Sequence, residues 1–159
     1  MFWSSKRRAA ALAISSAALL ISAGSAVAAS PTVDSWTVHL ERPFADCPDF
    51  SVVGVWDIGH KLTLYYDSEG TATRDTERVD FVGQLVNAST GASVADSGTR
   101  IFFDTLAPDG SFLTTYSVQV RKSTYVHVAG RTDFQTGDFN GVNGIDAAGI
   151  AALCEALGG

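Results

Sequence analysis

From Phe50 onward the chain alternates apolar and polar residues with a period near two, the spacing of strands with one covered face. Phe50-Ser51-Val52-Val53-Gly54-Val55-Trp56 is rich in β-branched and aromatic residues, which suit a pleated surface. Lys61-Leu62-Thr63-Leu64-Tyr65-Tyr66 alternates again, and Gly59-His60-Lys61 reads as a turn between the two stretches. Asp67-Ser68-Glu69-Gly70 is a further turn. Residues 71–87 follow as one long segment with Val79, Phe81 and Leu85 on one face, and Ser89-Thr90-Gly91 turns the chain once more. The clearest hairpin joins 100–106 to 111–118 through Ala107-Pro108-Asp109-Gly110. There Pro presets the turn and Gly accepts a positive φ. On the second arm Phe112, Thr114, Tyr116, Val118 and Val120 share a face, and Thr115, Ser117, Gln119 and Arg121 on the other are expected to be solvated. Further strands are predicted over about 123–129 and 131–136.

The period changes near the end. Asp146 can cap a short helix over 147–157 that stops at Gly158, with Ile150, Leu153, Cys154 and Leu157 on one face. Short strands, frequent turns and a single helical segment predict an all-β fold. Its expected form is an antiparallel β-sandwich or barrel of about seven to eight strands with a short C-terminal helix.

The first residues follow another pattern. Lys6, Arg7 and Arg8 precede an Ala-rich apolar stretch, and Ala26-Val27-Ala28 supplies a small-x-small cleavage site. This predicts a secretory signal peptide over 1–28 rather than a stable membrane anchor, and an extracellular location. Residues 29–46, with Pro31 and Pro43, read as an N-terminal arm, part of which could pair as an edge strand, and 47–159 as a single β domain. Removing the first 28 of 159 residues takes three of the eleven basic residues with it. Eight basic residues then face seventeen acidic ones, a net charge of −9, which disfavours nucleic acids and anionic membranes as partners. The two cysteines, Cys47 and Cys154, predict one disulfide in an oxidising exterior.

Several motifs then combine. They are Cys47, Tyr66-Asp67-Ser68-Glu69-Gly70-Thr71, Asn87-Ala88-Ser89-Thr90-Gly91-Ala92-Ser93-Val94, Asp109-Gly110, Gly130-Arg131-Thr132 and Leu153-Cys154-Glu155-Ala156-Leu157. Over residues 47–157 the chain resembles a group of small secreted proteins of high-GC Gram-positive bacteria. That group has no established activity, so the resemblance implies a fold and a compartment and no reaction. The chain departs from the group's pattern at Ala152, where an Asp is expected, and in the Gly- and Asn-rich segment 133–149.

Candidate chemistry is sparse. His39, His60 and His127 have no Cys, His or carboxylate at metal-ligand spacing, and no cofactor is expected. Gly91-Ala92-Ser93-Val94-Ala95 lacks the final Gly of a nucleophile elbow. Asp57, Asp67, Glu69, Asp75, Glu77 and Asp80 sit beside turns or alternate with Arg74 and Arg78, as on a solvated face. The run from Asp138 to Asp146 resembles the start of a calcium loop, but Val142 and Gly149 stand where carboxylates are needed. Trp36, Trp56 and Tyr65-Tyr66 could form a platform for sugars, and core packing is the plainer reading.

Three functions fit these residues. The first is a non-catalytic extracellular binding or interaction domain, with its partner left open, another extracellular protein being one candidate. The second is a barrel around a small apolar ligand, lined by Phe81, Phe103, Phe112 and Tyr116, with a cavity above about 300 Å³. The third is an enzyme of unrecognised type, with His127 the first candidate.

Overall fold

A computed structural model describes residues 29–143 and 145–159; the predicted signal peptide at 1–28 lies outside the described residues. Seven strands and one helix follow in order: β1 (Thr32–Asp46), β2 (Ser51–Tyr66), β3 (Ala72–Asn87), β4 (Ser93–Leu106), β5 (Phe112–Ser123), β6 (His127–Asp133), β7 (Phe139–Asn143) and α1 (Ala147–Gly158). Each strand pairs antiparallel with the next, giving one open sheet in the order β1-β2-β3-β4-β5-β6-β7.

Local chemistry sets the hairpins. Gly70 and Gly110 close two of the turns at φ of 84° and 81°, a region that costs other residues steric energy. In the first turn the Asp67 carboxylate accepts hydrogen bonds from the Glu69 and Thr71 backbone N–H groups, each at 2.9 Å.

Four segments differ from the sequence expectation, the first being the strands expected over about 123–129 and 131–136, which are one strand, β6, running through Gly130. Gly59-His60-Lys61 is no turn: Gly59 pairs with Thr37 on one side and Asp80 on the other, so β2 runs unbroken. The alternation Trp56, Ile58, His60, Leu62 carries through it in phase. The N-terminal arm is an edge strand along nearly its whole length, paired with β2 from Thr32 to Asp46. The Gly- and Asn-rich stretch forms β7, because its glycines permit close approach. A Cβ on Gly130 would lie 2.6 Å from the Phe139 ring, and one on Gly141 would lie 2.2 Å from the Ala129 carbonyl. The run from Asp138 to Asp146, expected to be a Gly/Asn loop rather than a calcium loop, is therefore mostly strand, and Asn140 stands opposite Arg131 in the sheet.

The core gathers at one end of one sheet face. Val52, Trp56 and Leu85 from the sheet meet Leu153 and Leu157 of α1, with Leu40, Phe44, Ile58 and Phe81 packed around them. Asp146 accepts from the Gly149 N–H at 2.8 Å, capping the helix start as predicted. At the helix end Asn87 Nδ2 donates to the Leu157 carbonyl at 3.0 Å. The Cys47–Cys154 disulfide spans 107 residues and ties the helix to the β1–β2 connection. The Trp56 indole lies flat over Gly54, where a Cβ would come within 1.8 Å of the ring. Gly54→Ala should push the indole out of place and cost about 1–3 kcal/mol, the usual range for overpacking, measurable by urea unfolding.

Candidate functional site

The register fixes which side chains share a face. One row runs Trp56, Gly83, Asp96, and another runs His60, Val79, Arg100, Gln119. Both lie on the face that α1 covers at its apolar end. Away from the helix this same face becomes charged.

Asp96 is the centre of the first buried polar group. Its Oδ2 accepts from Trp56 Nε1 at 2.6 Å and from Arg121 Nη2 at 2.6 Å, and its Oδ1 accepts from Arg121 Nε at 2.8 Å. This is the two-pronged Arg–carboxylate geometry that is both strong and directional. The Arg121 guanidinium also lies 4.8 Å from the Phe44 ring centre, 5.7 Å from Phe81 and 5.9 Å from Trp56. Charge and rings together hold Arg121 in place.

The second group lies further along the face. His60 Nδ1 is 2.8 Å from Glu77 Oε1, and Trp36 stacks on the His60 ring at 4.8 Å and 6°. Asp75 and Asp104 are cross-strand partners and both are buried. Arg100 Nε donates to the buried Ser117 Oγ at 3.0 Å, with Phe102 and Phe134 within 4.7 and 5.2 Å of its guanidinium. Burial lowers the Arg100 guanidinium from the ordinary arginine value, and it still carries its proton at neutral pH.

The opposite, outward face carries two shallow depressions. One of about 340 Å³ lies over Ser35, Thr37, Gly59, Lys61, Arg78 and Asp80. The other, about 270 Å³, is lined mainly by His39, Val55, Asp57, Val82, Gln84 and Val86, with His39 Nδ1 2.9 Å from Asp57 Oδ1. In the first, Arg78 donates to both Asp80 oxygens at 2.7 and 3.0 Å, and Thr99 Oγ1 donates to Oδ1 at 2.6 Å. The Arg78 hydrogen bonds, aided by Thr99, hold the Asp80 carboxyl below its ordinary value. A depressed folded value adds stability above the unfolded carboxylate range, and that contribution disappears as pH falls through the folded value. The pair is half exposed, so the effect is small. Asp80→Asn should cost under about 1 kcal/mol at pH 7, and the gap from the parent should close in melts taken progressively further below the ordinary aspartate range.

Toward β7 the outward face turns apolar. Ile101 stands beside Val118, Phe103 beside Tyr116, and Val120, Ala129 and Val142 form one cross-strand row. Val118 is 41 % exposed, Val120 40 % and Val142 60 %. Between Val118 and its neighbours on the same strand, Ser117 is fully buried. The predicted orientation of β5 is thus reversed. Trp56, Phe81, Leu85 and α1 decide which face is covered. The register then turns Ser117, Gln119 and Arg121 toward that face, where Arg100 and Asp96 satisfy Ser117 and Arg121.

The residues expected to line a ligand cavity are dispersed accordingly. Phe81 lies on the covered face against Gly98 and Arg121. Phe103 and Tyr116 lie on the outward face, stacked at 4.8 Å, with the Arg131 guanidinium 4.2 Å over Tyr116. Phe112 is exposed at the start of β5, and His127 is exposed at the start of β6. The buried Arg–Asp–Trp group went unnoticed in the sequence. For the second group a signal exists: Asp75 and Glu77 share strand parity with Val79, Phe81 and Leu85, which places these carboxylates on the covered face.

No protein-family model, no curated protein and no solved structure matches the chain.

Proposed function

We propose that this chain is an exported, non-catalytic binding domain whose working surface is the outward face of β4–β7. The observation that carries this reading is the inversion along β5, with Val118 and Val120 in solvent while Ser117 is buried. A contiguous exposed apolar face on a soluble domain is the usual mark of an interaction surface. Ile101, Phe103, Tyr116 and Val142 extend it, and Arg131 and Lys122 border it, an arrangement suited to an apolar protein surface with an acidic margin.

Export is supported by the Cys47–Cys154 disulfide, a bond that persists in oxidising compartments. Among the described residues no helix is long and apolar enough to cross a membrane. Because all seven strands belong to one sheet, we read the architecture as a partly closed barrel rather than a sandwich. A barrel around a small apolar ligand has less support, since the face that would line it carries Asp75, Glu77, Asp96 and Asp104.

The test is site-specific photocrosslinking in the secreting culture. A benzophenone side chain at position 118 should give a discrete adduct with a second protein, and the same group at Glu69, in an exposed turn, should give none. Val118→Thr combined with Val120→Thr should change unfolding free energy by less than about 0.5 kcal/mol, as surface changes do, yet abolish an adduct formed from a probe at Val142. Equal labelling from positions 118 and 69, or no adduct from 118, would overturn the reading.

A further inference from the structure

We propose that two copies of this chain join edge to edge through β1, antiparallel about a two-fold axis at Val38. Among the described residues β1 pairs only with β2, and it is exposed at nearly every position. A strand of 15 residues with one side open offers a row of backbone donors and acceptors to another strand.

The direction of those groups can be read from two residues. The Ser35 N–H donates to its neighbour Asp34 Oδ1 at 2.8 Å, so it does not point at β2. Pro43, which has no N–H, is paired with Val53 in the same strand parity. Alternation along a strand then turns the backbone groups of residues 33, 35, 37, 39 and 41 toward the open edge.

This parity restricts the registers in which β1 can meet a copy of itself. Centred on Val38, Thr37 exchanges hydrogen bonds with His39 of the second copy, and Ser35 does so with Glu41. Between them fall the closer, non-hydrogen-bonded positions. There Val38 meets Val38, Trp36 meets Leu40 and Asp34 meets Arg42, each of the last two twice by symmetry. All of these side chains lie on the face that carries Trp56. Sliding the register by two residues in either direction sets Asp34 against Leu40 or Phe44 and loses both ion pairs. Opposite charges and aromatic–aliphatic pairs directly across strands favour pairing, so the strand's own charge pattern selects a second copy of itself. Two-fold symmetry closes the assembly at two copies. The other edge offers less, since β7 has only 5 residues.

The proposal is independent of the outward apolar face and is tested with the chain lacking residues 1–28. Sedimentation equilibrium should show a dimer. Asp34→Arg alone and Arg42→Asp alone each set like charges together at both ends, and should weaken association at least tenfold. An equimolar mixture of these two variants restores both ion pairs and should give a mixed dimer, as should the double variant D34R/R42D with itself. Independently, Val38→Cys should form an intermolecular disulfide in air, because paired non-hydrogen-bonded positions have Cα atoms about 4.5 Å apart, within disulfide reach. Thermal melts of each variant confirm that these exposed positions leave the fold intact. A wild-type chain that stays monomeric at millimolar concentration, a dimer indifferent to either charge reversal, or failure of the two variants to combine would each overturn the proposal.

Discussion

Asp96→Ala will lower the unfolding free energy by about 3–5 kcal/mol. The change removes the carboxylate that Arg121 grips with two hydrogen bonds, and it removes the acceptor for Trp56 Nε1. Arg121 cannot recover by turning to water without giving up its position over Phe44, Phe81 and Trp56. The cost is that of leaving a charge and an indole N–H buried and unmatched, which exceeds the modest net worth of the intact pair. Replacing both partners with apolar residues, as in Asp96→Leu with Arg121→Met, should therefore be more stable than Asp96→Ala alone. Urea melts followed by tryptophan fluorescence give both numbers. A loss below about 1 kcal/mol for the single variant would show that the network is not holding the sheet.

Breaking the Cys47–Cys154 bond will have a comparable effect. Its two residues are 107 apart in sequence, so it closes most of the described residues into one loop. In the chain-entropy model that is worth about 4–5 kcal/mol, drawn chiefly from restricting the unfolded state. The folded state adds a local reason. Helix α1 is held by a short apolar contact, the Asn87 hydrogen bond and this one covalent link. Cys154→Ser with Cys47→Ser should shift the urea midpoint strongly downward, and limited proteolysis should then cut first within α1. If the reduced chain melts at the same urea concentration as the oxidised one, the bond is incidental to stability.

Much of the sheet was legible in the sequence because the strands carry their own signals. The Pro-Asp-Gly and Asp-x-x-Gly turns, the long alternating segment of β3 and the capped helix all reflect local preferences, and each is where those preferences place it. The misreadings centre on glycines. Gly130 and Gly141 look like loop residues, yet they sit in strands because a ring or a neighbouring backbone occupies the space a side chain would take, whereas Gly59 is kept in β2 by its pairing with Thr37 and Asp80 on either side. The face of β5 was misjudged for a related reason. Hydrophobicity along one strand cannot say which face is covered when that face is built from matched charges. Asp96 and Arg121 are 25 residues apart, and only the register of β4 against β5 brings them together. The polar group around His60 was equally hidden, because reading residues 59–61 as a turn removed His60 from the face it shares with Glu77.

The plain order of the sheet has a consequence for how the molecule is made. Each strand finds its partner in the segment synthesised just before it, so the hairpins can assemble one after another as the polypeptide emerges. Docking of the final helix is different, because it must return to the opening connection at Cys47. A truncated polypeptide could build most of its ladder and still be unable to lock it. Formation of the Cys47–Cys154 cross-link therefore reports that the polypeptide has been made at least as far as this helix.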